Sequence, residues 1–245
     1  MEWEAPAVVL EARPYGEGDV VAAIMTREHG SYRGLVRGGA ARGRAAVWQA
    51  GNLVQARWVA RLTDQLGSLT AELVHPGAAL AMDNPLALAM LSSVCAVAVG
   101  ALPEREPHPR VFEGLVHLAL HAPEAAAMLP VLIRWEAALL GDLGYGLDLS
   151  RCAVTGETGG LAWVSPRTGR AVSDAATGPW RARLLPLPAF LAGDGETSAP
   201  ADWRDGLRLT GHFLARDAFG HTHRPLPAAR RMLYDRVETL AVEAA

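Results

Sequence analysis

Seven arginines lie between Arg27 and Arg61, at 27, 33, 37, 42, 44, 57 and 61, against one acidic side chain, Glu28. The segment therefore carries +6 in a chain whose formal net charge is −3. A guanidinium fork meets the oxygens of a phosphate two at a time and stays charged at any pH a folded protein meets. Between the arginines runs Gly38-Gly39-Ala40-Ala41-Arg42-Gly43-Arg44. Its glycines let backbone N–H groups approach an anion closely, and it has no large apolar side chain to fix it. A flexible cationic loop of this kind fits a polyanionic backbone. The competing reading is a basic hairpin tip on a solvated surface, because a charge cluster is only an electrostatic footprint until a fold places it. Arg33, Arg37, Arg42, Arg44, Arg57 and Arg61 are the candidate phosphate contacts. Trp48 and Trp58 are candidate stacking rings, against the alternative that a small barrel needs aromatic core.

Other chemistries find less support. The chain contains no lysine, which excludes the Walker A phosphate loop, the pyridoxal Schiff base and lysine-nucleophile ligase chemistry. Cys95 and Cys152 are too few for a disulfide framework, and no leader with a small-residue cleavage site opens the sequence, so a cytoplasmic location is the default expectation. His117 and His121 are spaced i, i+4 but lack an HExxH pattern, and His212, His221 and His223 surround a predicted helix end, where cations offset the dipole. No paired carboxylates, nucleophile elbow or triad spacing names a reaction. An enzyme, or another nucleic-acid-binding barrel protein, with its site in residues 144–223 is the alternative.

The elements that must position these residues follow from periodicity. Half of the 245 residues are hydrophobic, enough for one large or two modest domains. Apolar alternation and turn signals predict strands over 7–13, 20–26, 31–37, 52–61 and 66–74. Five short antiparallel strands in about 75 residues point to an OB-type barrel in domain 1–80. From Asp83 the pattern becomes helical. The apolar run Leu86–Leu102 is at the short limit for a bilayer and lacks flanking positive charge, so it reads as a buried bundle helix. Helical spacing recurs over 110–121, 125–143, 201–219 and 228–241. The Gly- and Pro-rich stretch between, 144–200, predicts a small β-excursion with knuckle-like turns at about 150–178. The expected fold is α+β, a five-stranded OB-type barrel followed by a mostly α-helical domain, 81–245.

In order and spacing, the start of the chain, Ser31-Tyr32-Arg33-Gly34-Leu35-Val36-Arg37-Gly38-Gly39-Ala40, then Gly144-Tyr145-Gly146-Leu147-Asp148-Leu149 with Cys152, and Arg230-Arg231-Met232-Leu233 resemble the RecO family of bacterial recombination mediators over nearly the whole sequence. The resemblance implies an OB domain and a helical domain, and binding of single- and double-stranded DNA. It also implies annealing of complementary strands, and work at the nucleoid beside RecR and single-stranded-DNA-binding protein in RecF-pathway repair, with no enzyme activity and no membrane. The arginines named above and Trp48 become the DNA-binding candidates, with Arg230, Arg231 and Arg236 next in line. The family also binds the acidic, Phe-ended tail of single-stranded-DNA-binding protein, which calls for an apolar pocket with a basic rim. The helical domain is its expected host, and Arg134 and Arg151 are the partner-binding candidates.

One departure concerns metal. Many members carry a four-cysteine zinc site after the Leu147-Asp148-Leu149 motif. Here Cys152 keeps one place while Thr155, Ser173 and Ala176 stand at the others. Hydroxyls and a methyl do not replace thiolates as zinc ligands. The expectation is a metal-free relic without cofactor, held by hydrogen bonds and the packing of Leu161 and Trp163, with Cys152 buried and unreactive.

Overall fold

The computed structural model describes residues 1–62, 65–193, 195, 198–221 and 223–244; Thr222 of the histidine-rich turn lies outside them. Five strands open the chain: β1 Glu2–Tyr15, β2 Asp19–Thr26, β3 Gly30–Val36, β4 Leu53–Val59 and β5 Ser68–His75. They close in the order β1-β2-β3-β5-β4, the five-stranded barrel that the alternation predicts. Two details differ from five short antiparallel strands. β1 is 14 residues long, pairing with β4 through its first half and with β2 through its second, with a register shift between Val9 and Glu11. Such a bulge bends a strand, and here it lets one strand serve two neighbours. The closure of β3 on β5 is parallel, at Leu35 and Ser68.

The barrel core gathers Val9, Ile24, Val54, Leu69 and a set of rings from alternate positions of the strands. Trp58, fully buried, stacks at 6.0 Å on Trp3 and meets Tyr32 edge-on at 5.1 Å. A buried indole N–H needs an acceptor. Trp58 Nε1 has two, the carbonyls of Arg33 (3.1 Å) and Leu66 (3.2 Å). Gly67 makes that closeness feasible: its φ is +70°, and a Cβ there would stand 2.5 Å from the indole. Trp58 is thus core, and its edge ties β4 to β3.

The chain divides into two compact units, Met1–Met128 and Leu129–Ala245. In the first, the barrel is followed by α1 Arg42–Ala45 within its loop, then α2 Gly77–Leu80, α3 Pro85–Ala101 and α4 Pro109–Leu120. Asn84 caps α3 by accepting from the N–H groups of Leu86 (3.0 Å) and Ala87 (3.2 Å), with Pro85 at the first helical position. Met90, Leu91, Val94, Val97 and Ala98 bury its length. The apolar run is core helix, and no single helix among the described residues is long and apolar enough to cross a membrane.

In the second unit, α5 (Ala125–Asp142, beginning at the end of the first unit) precedes a three-stranded sheet ordered β7-β6-β8, formed by β6 Leu161–Val164, β7 Ala171–Ser173 and β8 Leu185–Pro186. β8 has only two residues, too few for a periodicity to reveal. Two 3-10 segments, Asp174–Ala176 and Gly178–Arg183, sit between β7 and β8. α6 Ala189–Ala192, α7 Pro200–Phe213, a π turn Leu214–Ala218 and α8 Ala228–Glu243 complete the unit. Arg230 on α8 is 1% exposed and paired with Glu136. That corrects its place among reserve DNA contacts, because a guanidinium engaged with a buried carboxylate is shielded from phosphate.

Candidate nucleic-acid interface

The basic loop leaves β3 at Arg37 and is anchored where the sequence predicts freedom. Gly38 N–H donates to Asp19 Oδ1 at 2.7 Å and Ala40 N–H to the Gly18 carbonyl at 3.0 Å, tying the loop to the β1-β2 turn. α1 then carries Arg42 and Arg44, and Arg44 Nη1 donates to the Arg37 carbonyl at 3.0 Å. At the far end the buried Asn52 donates to the carbonyls of Ala46 (2.8 Å) and Val47 (3.1 Å) and accepts from Ala78 N–H (3.1 Å). Val47 and Trp48 pack into the barrel cluster. Asp19 and Asn52 are the residues that sequence reasoning missed. The available signal was an acid at the first position of β2 and a polar residue among apolar neighbours.

Trp48 is 5% exposed in the barrel core. Its assignment as a stacking platform is therefore corrected: a ring packed between core side chains has no face for a base, and a small barrel spends its aromatics on its interior.

The candidate arginines fall into two groups. Arg33 is paired with Glu104 (3.3 Å) and Glu11 (3.6 Å), and Arg57 with Glu2 (2.7 Å). Arg37, Arg42 and Arg61 are exposed and, among the described residues, have no ion-pair partner; Arg44 meets a carbonyl and no acid. Exposed ion pairs contribute about 0–1 kcal/mol, so even the paired guanidiniums can exchange a carboxylate for a phosphate at small cost. The unpaired ones need no exchange. The arrangement is thus a pinned loop presenting uncompensated positive charge beside a strand whose charges are partly neutralised.

In the second unit, the exposed Arg134 of α5 donates from Nε to the Phe190 carbonyl at 3.2 Å, its guanidinium 5.4 Å above the Phe190 ring. Arg151 is exposed beside Cys152 in sequence, and among the described residues no contact joins the two arginines. The rings of His117 and His121 lie with centroids 4.3 Å apart, tilted by 38°, and His212 Nε2 lies 3.1 Å from the Pro166 carbonyl. No group of three potential metal ligands occurs among the described residues.

The knuckle segment is tightly built around sulfur. Cys152 Sγ accepts from Ser173 N–H (3.3 Å) and Oγ (3.5 Å), while Gly156 N–H returns to the Cys152 carbonyl at 2.9 Å. Burial pushes the thiol up, but the hydroxyl and N–H of Ser173, then those of Thr155, pull it further down, to about 6. Of the residues at the family's zinc positions, Ser173 donates to the one remaining sulfur, Thr155 is a hydroxyl whose Oγ1 also bonds Glu157 Oε2 at 3.2 Å, and Ala176 has only a methyl, so a zinc ion finds a single good ligand. They do not fit the metal.

Residues 1–76 match the family model described as Recombination protein O N terminal, and residues 82–225 match Recombination protein O C terminal. The chain is 62% identical over 242 residues to the DNA repair protein RecO of Granulibacter bethesdensis, covering 98% of this chain and 97% of that one. It is 60% identical over 245 residues to the protein of the same name from Gluconacetobacter diazotrophicus (98% and 96% covered), and 56% identical over 240 residues to that of Acidiphilium cryptum (97% and 96%).

Proposed function

The chain belongs to the RecO family of DNA repair proteins, and on that premise we propose that it is a non-enzymatic mediator of the bacterial cytoplasm. It binds single- and double-stranded DNA through the barrel, residues 1–80, and anneals complementary strands. With RecR, it helps load recombinase at gaps coated by single-stranded-DNA-binding protein. Annealing requires two mutually repulsive phosphate backbones to be held close while their bases stay free to pair. Backbone contact by guanidiniums supplies the screening and leaves the bases unread, so the reaction works on any sequence.

The observation that carries this reading is that Arg37 and Arg42, in a loop that Asp19 and Asn52 hold in place, and Arg61, just past β4, are exposed guanidiniums with no acid partner among the described residues. Recruitment through the acidic, Phe-ended tail of single-stranded-DNA-binding protein falls to residues 81–245, where the exposed Arg134 and Arg151 are the basic candidates. The knuckle folds without zinc. The test is strand annealing and oligonucleotide binding by the full chain beside Arg42→Ala with Arg44→Ala. Loss of both activities at unchanged thermal midpoint supports the barrel site; wild-type values in both overturn it.

A further inference from the structure

The second unit carries an aromatic surface that neither the barrel reading nor the tail pocket uses. Of the seven tryptophans, six are buried or half-buried and Trp180 alone is exposed, at 59%. It sits in the 3-10 segment Gly178–Arg183, and the Arg183 guanidinium lies 5.3 Å from its ring centroid. Next to it in sequence, Arg181 lies 5.0 Å over the ring of Trp163 on β6. The two pairs are built differently. Trp163 Nε1 donates to Asp174 Oδ1 at 2.8 Å, and Arg181 is ion-paired to the same carboxylate at 3.1 Å, so that ring and that cation hold each other. Trp180 and Arg183 have no such tether among the described residues.

Charge decides the class of ligand. From Trp163 to Arg183 the chain has four arginines, at 167, 170, 181 and 183, and one acid, Asp174. Arg170 is paired with Asp148 (3.4 Å) and Arg181 with Asp174, whereas Arg167 and Arg183 meet no acid among the described residues. An exposed indole is a poor surface residue unless something covers it. An exposed ring with a cation stacked on it that meets no acid among the described residues offers a π face and positive charge together. That is the composition by which proteins hold single strands without reading sequence: bases stack on the aromatic ring and the backbone follows the arginines. An acidic peptide would satisfy the charge but leave the flat ring unused.

We infer that Trp180 and Arg183 form a second contact for single-stranded nucleic acid in the second unit, with Trp180 as the stacking platform and Arg183 as its phosphate-facing cation. This rests on the family's DNA-binding reading only for the class of ligand, and does not require the barrel arginines to be the first contact.

The test uses the full chain and a labelled oligothymidylate, with Trp180→Ala, Trp180→Phe, Arg183→Ala and Arg42→Ala with Arg44→Ala measured in parallel. Trp180→Ala is expected to weaken binding about tenfold, the effect of losing one stacked base, while Trp180→Phe, which keeps a π face, stays within about threefold of wild type. Arg183→Ala should weaken binding and flatten its salt dependence. A Trp180→Ala protein that binds oligothymidylate as wild type, or loses affinity only for an acidic peptide, overturns the inference. The barrel variant reports on the other site: its failure to weaken binding would remove the barrel reading and leave the Trp180 result standing.

Discussion

The Arg230 guanidinium clasps the Glu136 carboxylate inside the second unit, both side chains 1% exposed, with Nη2 donating to Oε2 at 3.0 Å and to the Leu207 carbonyl at 2.7 Å. Thr210 Oγ1 donates to the same carboxylate, so α5, α7 and α8 are joined at one polar point among apolar neighbours. A buried pair can cost more in desolvation than its attraction returns. Its effect here is to fix which helix faces meet.

Glu136→Ala should therefore lower stability by about 3–5 kcal/mol, because it strands a buried cation. Glu136→Leu combined with Arg230→Met should lose far less, since an apolar pair of similar volume needs no compensation. Chemical denaturation of the full-length variants checks this; equal losses in the single and double variants would contradict it.

That pair marks the boundary of what the sequence reveals. Strands and helices are legible because alternation and helical spacing record which face is buried, and the helix predicted over 86–102 is found as Pro85–Ala101. The role of each arginine is not. Arg230 sits in a basic run and is a core residue, while Arg42 sits in a basic run and is exposed. The distinction depends on Glu136, 94 positions away, and periodicity carries no information on such pairings. The loop is a parallel case: its composition predicts mobility, but Asn52 at its end and Asp19, which is 19 residues before Gly38, hold it.

Cys152 leads to a pH prediction. Its folded value of about 6 lies below the usual thiol value of about 8.5, so between the two the unfolded chain binds the extra proton. The stabilisation is complete above the usual thiol value and is lost as pH falls through about 6. Thiolate ultraviolet absorbance of the native protein should show one titration near pH 6 that disappears in Cys152→Ser. Cys95, which burial pushes up to about 12 against a weaker opposing hydrogen bond from the Gly51 backbone, contributes nothing there. A native titration appearing only near the usual thiol value would refute the assignment.

The same donor set bears on metal. Because Ser173 faces the sulfur as a donor and neither Thr155 nor Ala176 can supply a thiolate, purified protein is expected to hold no stoichiometric zinc and to keep its thermal midpoint in chelator. One zinc per chain by elemental analysis would overturn this.

For the partner tail, Arg134→Ala in the full chain should weaken binding of an acidic, Phe-ended peptide, since it removes an exposed cation from the proposed site. Circular dichroism should stay unchanged, because Arg134 is exposed. Calorimetry showing wild-type affinity for that peptide would move the pocket elsewhere.

Arg33 and Arg37 separate the two groups of barrel arginines. Both belong to one basic stretch, yet Arg33 faces Glu11 and Glu104 while Arg37 faces solvent. If phosphate contact follows uncompensated charge, Arg37→Ala should flatten the slope of log K against log salt for single strands by about 0.7, the value for one lost contact. The loss should be similar for every sequence, since backbone contacts carry no base identity. Arg33→Ala should change the slope less, because its charge is already shared with two carboxylates and part of the counterion release is already spent. Glu104→Gln supplies the converse: freeing Arg33 should steepen the slope toward that of a chain with one more contact. Equal slopes for Arg33→Ala and Arg37→Ala, with Glu104→Gln unchanged from wild type, would show that ion pairing on this face does not govern which arginines meet DNA.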